Sequence, residues 1–228
     1  MKEKDLEGTE VQNSYWLKFT GIVVTVLILG TQPMISGASE IPVTGQNPSQ
    51  TENEEIETAI PSLSQFADQV NNGSDMVRGV YLDKTLALEV VQQPENQAVY
   101  ISSDPGEATQ FKMASSYGSI GLLAHNYAGG ADFHKVETGD RILLLYGNGS
   151  VEVFQVTHLL EYRALNPTSA SSNFVDLANG TVSSARELFI KVYSGKPHLT
   201  LQTCISADGQ DSWGRLFVIA EPVIGEYN

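Results

Sequence analysis

Two β-rich runs around a tight turn constrain this chain more than any other feature. Arg141-Ile142-Leu143-Leu144-Leu145-Tyr146 leads into Gly147-Asn148-Gly149-Ser150, and residues 151–157 lead out of it. Asn-Gly supplies the turn conformation, while branched and aromatic side chains on both flanks suit a pleated surface, so the segment reads as a hairpin. Shorter runs at residues 86–91, 97–101, 120–125, 199–204 and 215–220 repeat the strand pattern, with Gly, Pro, Asn or Asp nearby. One stretch, residues 183–193, reads as a helix, with Ser183 or Ser184 as N-cap and Gly195 beyond its end. Residues 60–70 have weak helical periodicity. Many short strands with one or two helical inserts predict a mainly β chain closed into a barrel rather than an α/β sheet.

Charge is unevenly distributed. Residues 1–75 carry eleven acids against three bases, whereas residues 76–228 carry sixteen against ten. The net charge of −14 excludes nucleic acid as a partner, because no cluster of Lys and Arg is present to neutralise phosphates. Residues 1–18 form a polar tail. Residues 19–38 read as a signal peptide or a membrane anchor: an apolar run from Phe19 to Leu29 follows Lys18, and Ser36-Gly37-Ala38 offers small residues for cleavage. Residues 39–76, rich in Pro, Gln, Asn, Ser, Thr and Glu, read as a disordered acidic linker, and residues 77–224 as the folded domain.

Cys204 is the only cysteine, so no internal disulfide holds the fold. Alternation puts Thr200, Gln202 and Cys204 on one face of their strand and Leu201 and Thr203 on the other. On the last strand Arg215, Phe217 and Ile219 share a face, opposite Leu216 and Val218. His125 ends the run that begins at Ile120. A thiol, an imidazole and a guanidinium thus stand at strand termini. Taken singly, each also fits a bland role: a buried thiol, a strand-end histidine, a rim arginine.

Thr200-Leu201-Gln202-Thr203-Cys204 resembles the T-L-x-T-C signature of sortases, the cysteine transpeptidases of bacterial cell surfaces. Ala124-His125 with Phe133 and Gly139-Asp140 is similar to the sortase histidine segment and its following strand, and Gly214-Arg215-Leu216-Phe217-Val218 to the strand that carries the sortase arginine. The chain departs from the family in having Ala124-His125-Asn126 instead of Gly-His-Arg, and Gly79-Val80-Tyr81-Leu82-Asp83 without the usual Ile-Pro. The resemblance implies an eight-stranded sortase barrel over residues 77–224, with Cys204 as nucleophile, His125 as acid/base and Arg215 as oxyanion or substrate clamp. Thr203, Asn126, Tyr127 and Trp213 are expected to line the substrate groove. The implied partners are a protein substrate bearing a C-terminal LPxTG-like sorting motif and an amine acceptor, either a cell-wall peptide or a protein lysine. Attachment to the membrane is expected through the N-terminal segment, at the extracellular face.

Hydrolytic endopeptidase activity and a non-catalytic peptide-binding barrel are the alternatives. No cofactor is implied. His134, His158 and His198 lack ligand spacing for zinc, and Asp208 and Asp211 read as turn residues rather than calcium ligands. Ile41-Pro42-Val43-Thr44-Gly45 has the shape of a sorting motif, which raises a tethered pseudo-substrate as an idea beside a plain linker.

Overall fold

The computed structural model describes residues 60–169 and 171–225. The expected tail, the signal or anchor segment and the Ile41–Gly45 motif lie outside these residues. Among the described residues, no helix is long and apolar enough to cross a membrane.

Among the described residues, ten strands form one sheet: β1 (Val77–Leu82), β2 (Leu86–Gln92), β3 (Glu107–Gln110), β4 (Ile120–Leu123), β5 (Arg141–Tyr146), β6 (Val151–Ala164), β7 (Phe174–Asp176), β8 (Val182–Ser183), β9 (Leu199–Ala207) and β10 (Gln210–Pro222). Their spatial order is β10-β9-β4-β3-β2-β1-β5-β6-β7-β8. A further pairing of β10 with β6 closes the first eight into a barrel, from Gly214↔Arg163 to Pro222↔Phe154. The β7–β8 pair extends β6 outside the ring. Closure leaves the barrel strands without free edges, which removes the aggregation hazard of an open sheet. The expected eight-stranded closed barrel is therefore observed.

Period-two alternation builds the core. Leu199 and Leu201 of β9 and Leu216, Val218 and Ala220 of β10 point inward, joining Val80, Leu88, Leu122, Ile142, Leu144 and Phe133 in one buried cluster. Outward-facing Phe217 and Ile219 belong instead to a second cluster with Tyr162, Phe174, Leu188, Val192 and Tyr193. Leu188, Val192 and Tyr193 lie on helix α3 (Ala185–Tyr193), whose start is fixed by a reciprocal Ser184–Glu187 capping box. The helix therefore covers the outer face of β9 and β10. A four-residue helix, α2 (Lys112–Ser115), precedes β4.

The packed unit begins before residue 77, the expected boundary. Helix α1 (Leu63–Val70), capped by Ser62 and Gln65, buries Phe66 and Val70 against Tyr81 and Leu145. Phe66 stacks on Tyr81 at 5.9 Å between ring centroids. It can do so because position 79 is glycine: a Cβ there would lie 2.8 Å from the Phe66 ring. The backbone N–H groups of Asn72 and Gly73 then donate to the Gly147 carbonyl in the β5–β6 turn.

Three local expectations need correction. Residues 97–101 form turns, not a strand. The buried Gln93 side chain donates to the Ala98 and Tyr100 carbonyls at 3.1 Å each and accepts from the Lys112 N–H at 3.0 Å. The parallel partner of β2 is β3, in register from Glu89↔Glu107 to Gln92↔Gln110. Strand β6 runs on to Ala164, bending through a bulge opposite Ile219 and Ala220 that interrupts its alternation. Strands β7 and β8 occupy an interval expected to hold only a helix.

Candidate active site

The register brings the three candidate residues to one level. Arg215 of β10 pairs directly with Cys204 of β9. Strand β4 runs parallel to β9 with Leu123 opposite Gln202, and the Ala124 N–H donates to the Gln202 carbonyl at 3.2 Å. His125 is two residues beyond Leu123, as Cys204 is two beyond Gln202, so both reach the same height on the barrel. Like Thr200 and Gln202, Cys204 faces outward. Helix α3 covers those two: Thr200 donates to the Val192 carbonyl at 2.7 Å, and Tyr193 donates to Gln202 Oε1 at 2.6 Å. Burial pushes the Tyr193 hydroxyl far above its ordinary pKa and keeps it a donor. Cys204 is the first outward residue beyond this cover and is half-buried.

His125 is half-buried and stacks on Tyr127, with ring centroids 4.9 Å apart and planes at 10°. Burial lowers its pKa below the ordinary 6.5; a hydrogen bond to the Ile101 backbone carbonyl opposes this without reversing it. The lowered pKa favours the neutral form of the ring over the charged one. Arg215 Nη1 donates to the Ser212 carbonyl at 3.0 Å and the Gly214 carbonyl at 2.7 Å, and its guanidinium lies 5.9 Å from the Phe174 ring centroid. Both Nη1 protons are thereby committed, which leaves the Nε and Nη2 side of the fork for any further acceptor.

The expected groove residues separate. Tyr127 is exposed beside His125 and Trp213 is half-buried on the β10 side of the β9–β10 hairpin. Asn126 Nδ2 donates to Ser206 Oγ at 2.5 Å and to the Asp211 carbonyl at 3.0 Å, bracing the loop after β4 against that hairpin. Thr203 is placed differently from the expectation. It points into the barrel, 2% exposed, and its hydroxyl has no hydrogen-bond partner among the described residues. Pairing with inward-facing Leu216 puts it on the side of β9 opposite to Cys204.

Two contributors escaped sequence reasoning. Gly130, the second residue of the 3₁₀ helix Gly129–Lys135, donates its N–H to the His125 carbonyl at 2.9 Å, as does Ala128. Position 130 accepts no side chain: a Cβ would collide with Thr203 Oγ1 and lie 2.7 Å from both the Ala124 and His125 carbonyl oxygens. The paired glycines at 129 and 130 were the available signal. The second is His134, whose Nε2 lies 3.1 Å from the Cys204 carbonyl oxygen. No spacing rule could reveal that contact. Among the described residues no group of three or more His, Cys, Asp or Glu side chains is arranged to hold a metal ion.

A closed barrel with a lone thiol beside an arginine and a histidine on its outer rim is the class of molecule that fold and site define. Among solved structures it is similar to sortase A from Listeria monocytogenes, with a TM-score of 0.43 at 16% identity, covering 65% of this chain and 88% of that one. It is also similar to sortase C1 from Streptococcus suis, with a TM-score of 0.43 at 14% identity over 70% of this chain and 77% of that one. For sortase C from Clostridium perfringens the TM-score is 0.39 at 14% identity, over 67% of this chain and 72% of that one. No family model matches the chain, and neither does any curated protein.

Proposed function

We propose that this chain is a cysteine transpeptidase acting at the cell surface on an LPxTG-like sorting motif. The observation that carries the reading is the strand register, Arg215↔Cys204 beside a His125 that leaves β4 at the same height. As the Cys204 sulfur attacks the carbonyl of the motif's scissile peptide bond, neutral His125 takes the thiol proton. Arg215 meets the tetrahedral oxyanion. Collapse breaks the C–N bond; the leaving amine receives the proton from His125, and the acyl group stays on Cys204 as a thioester. A second amine attacks that thioester, loses its proton to His125 and restores the thiol. Tyr127 and Trp213 flank the groove, and an N-terminal attachment keeps the enzyme at the membrane.

The test incubates the full chain with LPxTG-like peptides and a panel of primary amines, with products read by mass spectrometry. Amine-joined product supports transpeptidation, whereas cleaved acid alone reassigns the chain as a hydrolase. Cys204→Ala is expected to lower turnover on the order of 10³-fold or more. Activity that survives this substitution, or silence of the unaltered chain on every peptide, overturns the reading.

A further inference from the structure

We infer that His134 is a positioning residue for Cys204, holding the nucleophile's backbone at the height of His125. The inference rests on the proposed roles of Cys204 and His125. A carbonyl oxygen only accepts, so at 3.1 Å from the Cys204 oxygen the Nε2 atom of His134 carries a proton and donates it. The other β9 edge at this level is taken by β10, through the Arg215↔Cys204 pair. His134 thus tethers the strand on the side facing the 3₁₀ helix.

That helix also holds His125. The Ala128 and Gly130 N–H groups both donate to the His125 carbonyl, at 2.9 Å each. Phe133, fully buried, anchors the same turn in the barrel core, Val136 is buried just after it, and Lys135 pairs with Asp132 at 2.8 Å. One short element therefore grips the backbone of the imidazole residue at its start and that of the thiol residue near its end. A small displacement of reacting groups is enough to lower a rate severely, so a tether of this kind acts on the chemistry without touching substrate. The His134 ring is exposed and also borders a cavity of about 390 Å³ lined by Phe133, Val136, Leu159, Glu161 and Leu216. Substituting it overpacks nothing.

The experiment is a double-mutant cycle on the full chain, read as the rate at which iodoacetamide alkylates Cys204. His125→Ala alone is expected to slow alkylation by roughly 10²-fold. His134→Leu is expected to slow it about tenfold in the unaltered background, the effect of about one hydrogen bond, and not at all in the His125→Ala background. His134→Gln keeps an N–H donor and is expected to recover most of the rate. His134→Ala, which introduces no new packing, repeats the comparison should the leucine disturb the melting midpoint. Equal effects of His134→Leu in both backgrounds mean a merely structural role and overturn the inference, as does an unchanged rate in the unaltered background. An unchanged rate in His125→Ala itself overturns the underlying pairing of Cys204 with His125, a separate outcome.

Discussion

Replacing Gly130 by alanine tests how the loop that carries His125 is held against β9, the strand that carries Cys204. The added methyl would collide with Thr203 Oγ1 and stand 2.7 Å from the Ala124 and His125 carbonyl oxygens. Two of these neighbours are backbone atoms that cannot rotate away. Overpacking a tight site costs about 1–3 kcal/mol, and moving the loop to relieve it weakens the Gly130-to-His125 hydrogen bond, worth about 1 kcal/mol more. A loss of about 2–4 kcal/mol is expected, equivalent to roughly 5–15 °C in melting midpoint for a domain of this size. Urea unfolding followed by tryptophan fluorescence measures the first number and calorimetry the second. Adding Thr203→Ala removes only the side-chain collision, so the double variant is expected to recover part of the loss and not all of it. Stability of Gly130→Ala within about 0.5 kcal/mol of the unaltered chain, well inside the usual effect of a surface change, would refute the reasoning.

Three further outcomes follow from the structure. Phe66→Ala removes the ring that docks α1 over Gly79 and Tyr81 and is expected to cost about 3–5 kcal/mol, with loss of amide protection across residues 63–70 in hydrogen exchange; protection that persists contradicts the packing described. Thr203→Val replaces a buried hydroxyl without a partner by a methyl of equal size and is expected to raise stability by about 1 kcal/mol in urea unfolding; a loss of that size would show the hydroxyl to be bonded after all. The pKa of His125 is lower folded than unfolded, so the unfolded chain binds the extra proton first as pH falls. Stability should therefore decline as pH drops from just above 6.5 through the lowered value and level off below it, and His125→Phe should remove that decline.

The outer rim was legible because β9 and β10 alternate cleanly. Leu199, Leu201, Leu216 and Val218 face the core while Cys204 and Arg215 face out, and a period of two needs no tertiary information to read. Alternation had already set Thr203 beside Leu201, opposite Cys204; its expected place in the groove came from the T-L-x-T-C resemblance alone, and the pairing with Leu216 keeps it inside the barrel. Residues 97–101 combine Val99, Tyr100 and Ile101 in strand-like fashion, yet Val99 is 74% exposed and Gln93 takes two carbonyls that a ladder would have used. The true strand at that edge, Glu107–Gln110, has no large apolar side chain to betray it. His134 reaches its partner across 70 positions of sequence, through a side-chain-to-backbone contact that leaves no pattern.

The most direct test of the central claim is the mass of the intact chain after brief exposure to an LPxTG-like peptide without added amine. The account predicts an acyl adduct on the peptide fragment containing Cys204, discharged by hydroxylamine as a hydroxamate and slowed by His125→Ala and Arg215→Ala, the latter by about 10²–10³-fold. An adduct on any other residue, one that persists in Cys204→Ala, or none with any peptide of this form would contradict it.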